Sequence, residues 1–132
     1  MKSTVLMILL SVWVFPLAVQ AQSEVMNDIR AAIKSGSSKE LSQYLNSEVE
    51  LYFYGEMSSY SRTQAEYVLK DFFKENPPRN FIYKHQGSSK DGQLYAIGEY
   101  TYDNGTYSIL LRIKEFNGEL KIFKVDFIKE QE

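Results

Sequence analysis

His85 is the only histidine in the chain, and cysteine is absent. A lone histidine titrates near neutral pH and suits general acid or base work, provided a partner orients it. Asp126 and Glu99 are the carboxylates on strand-like runs that an isomerase-type proton transfer would draw on. Such chemistry pairs a carboxylate base with a buried proton donor, a tyrosine or a protonated acid. Both carboxylates also stand near cationic residues, Lys121, Lys124 and Arg112, so exposure or ion pairing accounts for them equally simply. A single histidine without cysteine offers no transition-metal ligand set, and no H-x-x-x-H or H-E-x-x-H spacing occurs. Asp103-Asn104-Gly105 lacks the order and the distal Glu of a calcium loop and reads as a turn. There is no G-x-S-x-G and no glycine-rich phosphate loop. The residues therefore assign no catalytic set, no metal and no cofactor.

What remains is a candidate binding surface. Phe81, Tyr83 and His85 alternate, so all three are expected on the helix-covered face of one strand. On the next strand Ala96 and Gly98 are small residues in phase with Leu94, Tyr100 and Tyr102. Small residues in a sheet allow another element to approach closely or leave room for a ligand. If a pocket forms, Tyr83, His85 and Tyr100 are its expected rim, apolar walls with polar tips.

The elements that would position these residues are legible from periodicity. Ser23 has the character of an N-cap, with Val25, Ile29, Ala32 and Ile33 on one helical face and Gly36 at the end. Ser37 or Ser38 starts a second, shorter helix carrying Leu41, Tyr44 and Leu45. From Val49 to Tyr54 the period becomes two, and a short strand is expected around Met57–Tyr60. Ser61-Arg62-Thr63-Gln64 fits a capping box, followed by Ala65, Val68, Leu69, Phe72 and Phe73 at helical spacing until Pro77-Pro78. Four strands follow, about Asn80–Gly87, Gln93–Tyr102, Thr106–Phe116 and Glu119–Ile128. Asp91-Gly92, Asn104-Gly105 and Asn117-Gly118 are the expected hairpin turns. In the last strand Phe123, Val125 and Phe127 are expected on one face, Leu120 and Ile122 on the other. One face of this meander is apolar and the other mostly polar, as a one-sided antiparallel sheet requires.

The chain begins Met1-Lys2-Ser3 and is apolar from Val5 to Val19, a stretch of about 15 residues against the ~20 of a spanning helix. Val19 and Ala21 occupy the small-residue positions of a cleavage site. Residues 1–21 thus read as a signal peptide and 22–132 as one domain, exported to the periplasm or beyond, with no stable membrane anchor after cleavage. The formal charge of −2 carries no basic footprint for nucleic acid. Without cysteine, packing alone must hold the fold in an oxidising compartment. The 10 tyrosines and 8 phenylalanines suit a half-buried sheet. Tyr52, Tyr54 and Tyr95 are the expected exposed aromatics, through which a homodimer would pair.

The order of elements resembles the nuclear transport factor 2-like superfamily. That resemblance implies an α+β fold, an N-terminal helix pair and a third helix on a curved, mostly antiparallel sheet of about six strands, the nuclear transport factor 2-like cone. More narrowly, Gln64-Ala65-Glu66, Val68-Leu69-Lys70-Asp71-Phe72-Phe73, Pro77-Pro78, Phe81, His85-Gln86-Gly87-Ser88, Tyr95-Ala96-Ile97-Gly98 and Asn117-Gly118 resemble a family of short exported bacterial proteins. That family is known only as a domain of unknown function, so it transfers no catalytic residue. Fold alone does not decide function, since the superfamily includes isomerases, dehydratases, small-ligand binders and assembly modules. The expectation is a non-enzymatic module that binds a small molecule or a protein partner. An isomerase- or dehydratase-like enzyme using the cone interior is the alternative.

Overall fold

The computed structural model describes residues 17–131. They form α1 (Leu17–Ser35), α2 (Ser38–Ser42), β1 (Leu45–Phe53), β2 (Glu56–Ser61), α3 (Arg62–Glu75), β3 (Pro78–Ser88), β4 (Leu94–Tyr102), β5 (Gly105–Phe116) and β6 (Glu119–Lys129). The strands make one curved, open sheet in the order β2-β1-β6-β5-β4-β3. β1 and β6 run parallel, and the other neighbours are antiparallel. This is the expected α+β architecture, with three helices covering one face of the sheet. Ile29, Ile33, Leu41, Leu69 and Phe72 from the helices meet Leu51, Ile109, Leu111, Ile113 and Val125 from the strands in one core.

The local signals explain most boundaries. The Ser61 hydroxyl accepts from the Gln64 amide at 3.2 Å, and the Gln64 side chain accepts from the Ser61 amide at 3.0 Å. This reciprocal box turns β2 directly into α3. At the other end the Asn76 amide donates to the Phe72 carbonyl at 2.9 Å, and Pro77 prevents further helix. Gly36, with φ of +70°, closes α1 as its amide donates to Ile33, and Ser37 caps α2.

Several boundaries depart from the sequence reading. Residues 1–16 of the expected signal peptide lie outside the described residues. From Leu17 the helix runs without a break past Ala21, so Ser23 is interior to α1 and not an N-cap. Leu45 belongs to β1, which begins before Val49. Two-residue turns with both φ values positive occur at Asn117-Gly118, as expected, and also at Tyr54-Gly55. The β4–β5 turn is instead Asp103-Asn104, since Tyr102 pairs with Gly105. Asp91-Gly92 sits in a wider loop closed by the Ser89 amide on the Gln93 carbonyl at 2.8 Å.

Two β-bulges matter more, because each moves side chains to the opposite face. On β3, Tyr83 pairs with Gly98 and His85 pairs with Ile97, which leaves Lys84 as the extra residue. On β6, Lys124 pairs with Arg112 and Ile122 with Ile113, which leaves Phe123 as the extra residue. Strict alternation therefore fails at both places. Ile122 is buried with Val125 and Phe127, whereas Phe123 is displaced beside Phe116 at the hairpin end.

Candidate functional site

The expected rim residues do not share a cavity. The bulge at Lys84 places His85 on the outer, helix-free face, in register with Ile97, where it is exposed. The expectation that it faces the helices is overturned there, because one extra residue reverses the phase of everything beyond it. Tyr83 does face the helices. Its hydroxyl donates to the Met26 carbonyl of α1 at 2.8 Å, and burial pushes its phenol well above the ordinary range. Tyr100 is fully buried, and its hydroxyl donates to the Asn76 carbonyl at the end of α3. Both phenols thus tie a strand to a helix, and their donors are already committed.

The small residues on β4 also have occupants. A Cβ on Gly98 would lie 2.3 Å from the Phe81 ring, so that ring from the adjacent strand fills the space. Tyr95 covers Gly87 in the same manner on the outer face, where an added Cβ would meet its hydroxyl at 2.4 Å. The carboxylates are on the outer face too. Glu99 pairs with Lys84 at 3.6 Å, not with Arg112. Asp126 stands between Tyr52 and Leu110 in the sheet register. Its Oδ1 is the one buried side-chain oxygen among the described residues without a hydrogen-bond partner. No described cluster of three His, Asp or Glu side chains has metal-site geometry.

The interior is instead an aromatic stack. Phe72 is its hub, 5.6 Å from Phe53, 5.4 Å from Tyr100, 5.1 Å from Tyr107 and 4.7 Å from Phe127 between ring centroids. Phe53 stacks on Phe127 at 4.3 Å. Such offset and edge-on pairs add to the area they bury. Burial raises the Tyr107 phenol, and the nearby hydroxyls of Tyr54 and Tyr102 raise it further.

This stack opens to solvent at the mouth between the β1–β2 turn and the C-terminal half of α3. Tyr54 marks it. The residue is 73% exposed and holds φ of +52°, a left-handed conformation that is unusual for a bulky aromatic. On one side of Tyr54 lies a hollow of about 270 Å³ lined by Phe53, Val68, Asp71, Phe72 and Glu75. On the other side lies one of about 130 Å³, bounded by Tyr52, Tyr107, Phe127 and Lys129. Both hollows share Phe53 and Tyr54, so they lie on either side of one exposed ring. A third depression, about 320 Å³, runs between α1 and the β3–β4 hairpin past Gln22, Met26, Gln86 and Leu94.

The sequence held a signal for the mouth that alternation alone does not use. Tyr54-Gly55 is an X-Gly pair joining two strand-like runs, and a tyrosine in the X position of such a turn is out of place on conformational grounds.

Comparison with known proteins yields kin but no activity. The family model described as "Domain of unknown function (DUF4783)" matches residues 26–127. A DUF4783 family protein from Bacteroides ovatus is 28% identical, with a TM-score of 0.76 over 80% of this chain and 94% of that one. One from Bacteroides uniformis is 25% identical, with a TM-score of 0.77 over 82% and 99%. An NTF2-like protein of unknown function from Silicibacter pomeroyi shares the fold at 13% identity, with a TM-score of 0.60 over 86% and 97%. No curated protein matches the chain.

Proposed function

The chain belongs to the DUF4783 family of nuclear transport factor 2-like domains, and from that premise we propose that it is an exported, non-enzymatic module that binds a small ligand at the Tyr54 mouth. One observation carries the reading. Tyr54 keeps a large apolar ring in water on a left-handed backbone, between two hollows floored by aromatic rings. Backbone strain of this kind clusters at ligand clamps and active sites. Ligand sites typically measure 300–1,000 Å³. Each hollow falls short of that alone, while the two together fall within it.

The placement of titratable groups favours binding over isomerisation. A proton transfer inside the cone needs a base that faces the interior. His85, Glu99 and Asp126 all lie on the outer face, and aromatic rings occupy the interior.

Export rests on the basic start, the apolar run and the small residues at Val19 and Ala21. The buried positions of α1 among the described residues, Met26, Ile29, Ala32 and Ile33, all lie beyond a cleavage after Ala21. The family match also begins at residue 26.

The test is a thermal-shift screen on protein beginning at Gln22. A ligand at about 100 times its Kd stabilises by ~2.7 kcal/mol. The same compound should give no shift with Tyr54→Asn. Hits that persist in Tyr54→Asn, or turnover of a hit that His85→Ala abolishes, would overturn the proposal.

A further inference from the structure

We propose that the ligand of the Tyr54 mouth is a small organic cation, of the quaternary or tertiary ammonium class. The inference rests on the mouth being a binding site and adds the chemistry of its occupant. Three features of the larger hollow point the same way.

The first is the wall. Phe53, Tyr54 and Phe72 supply the aromatic part of the lining of a hollow of about 270 Å³. The face of an aromatic ring carries the negative part of its quadrupole and attracts a cation within about 6 Å of the centroid.

The second is the charge on the rim. Val68, Asp71, Phe72 and Glu75 occupy spacing i, i+3, i+4 and i+7, so one stripe of α3 faces the hollow, and its only charged groups are two carboxylates. Asp71 and Glu75 are like charges one helical turn apart, an arrangement that weakens a helix. Neither forms an ion pair among the described residues, whose salt bridges are Arg79–Asp103, Lys84–Glu99 and Lys121–Glu119. Lys70 and Lys74 are on α3 as well but do not line the hollow.

The third is the helix end. Glu75 is the last residue of α3, where the unsatisfied carbonyls already carry partial negative charge and a carboxylate is unfavourable. The fold thus places two carboxylates, without ion-pair partners among the described residues, beside three aromatic rings. An ammonium centre held there would relieve the carboxylate repulsion, complement the helix end and cover apolar wall with its methyl groups. Lys129 belongs to the smaller hollow, so the cation's place is on the α3 side of Tyr54.

The probes are choline and its neutral isostere 3,3-dimethylbutan-1-ol, titrated into the protein while backbone amide resonances are followed. Weak binding, Kd in the ~mM range, is enough to read. The expected result is that choline shifts Phe53–Gly55 and Val68–Glu75 and binds about tenfold more tightly than the alcohol. Asp71→Asn and Glu75→Gln should each weaken choline about two- to fivefold, as for exposed charge pairs, without weakening the alcohol. Phe53→Leu keeps an apolar wall but removes the quadrupole, and should cost choline about threefold more than it costs the alcohol. Added salt should weaken choline alone. If the alcohol binds at the mouth as tightly as choline, the cation assignment falls while the mouth remains a binding site. If neither probe shifts those residues, the cation assignment is equally overturned. The mouth itself then stands or falls on the screen with Tyr54→Asn.

Discussion

The two aromatic regions of this domain use the same residue types to opposite ends. Where β3 and β4 pass beneath the helices, the phenols and the small residue are committed: the Tyr83 and Tyr100 hydroxyls hold helix carbonyls, and Phe81 occupies the space above Gly98. At the β1–β2 turn, Tyr54 donates to no helix carbonyl, stands 73% exposed and leaves hollows on both sides. Aromatic residues whose donors are spent on helix carbonyls hold a fold together. Aromatic residues that keep a void open against conformational strain are available to a ligand. Composition does not separate the two, and geometry does.

The packed end gives the largest expected effects. Gly98→Ala forces a methyl group into the Phe81 ring and should destabilise by about 1–3 kcal/mol, as overpacking does, measured by denaturant unfolding. If that face were ligand space, stability would hold and binding would fall instead. Tyr100→Phe leaves the Asn76 carbonyl buried without its donor and should cost about 1–3 kcal/mol.

Ionisation sharpens the same contrast. Burial raises the phenols of Tyr83, Tyr100 and Tyr107 above their ordinary value of 10.0. The unfolded chain ionises at that value while the folded phenols keep their protons. Their contribution is therefore whole below pH 10 and declines as pH rises beyond it. Unfolding free energy should drop on the alkaline side from pH 10, and Tyr100→Phe should make the drop shallower.

The mouth should respond in the opposite sense. Tyr54→Asn suits the left-handed turn better than tyrosine and should leave stability unchanged or raise it by up to about 1 kcal/mol, while removing ligand shifts. A large loss of stability would mean that Tyr54 is structural, and the contrast would collapse. The smallest effect belongs to His85→Ala on the exposed outer face, within about 0.5 kcal/mol by unfolding and without effect on binding.

The comparison also shows what the chain discloses before it is folded. Periodicity and capping chemistry place α3, the meander and the one-sided sheet, because each depends on neighbours within a few residues. The orientation of His85 and of Phe123 escaped the same reasoning. Each follows a single extra residue whose presence depends on the partner strand, and alternation carries no mark of it. Gly98 escaped differently: a small residue signals that something comes close, and only the folded sheet shows that the Phe81 ring does. Glu99 found Lys84 across the strand pair and not Arg112, again a matter of register. The mouth itself depends on Asp71, Glu75 and Phe53, which meet only when the C-terminal half of α3 crosses the end of β1.

The central claim is that the binding surface is the Tyr54 mouth and not the β3–β4 end favoured by the lone histidine. A fragment screen read by amide chemical shifts tests it most directly, because every residue reports its own contact. Hits should perturb Phe53–Gly55, Val68–Glu75 and Tyr107, with little change at Met26, Tyr83–Gly87 or Leu94–Tyr95. Hits that cluster along Met26, Gln86 and Leu94, and leave Phe53 and Tyr54 unmoved, would place the site in the groove beside α1 and contradict the account.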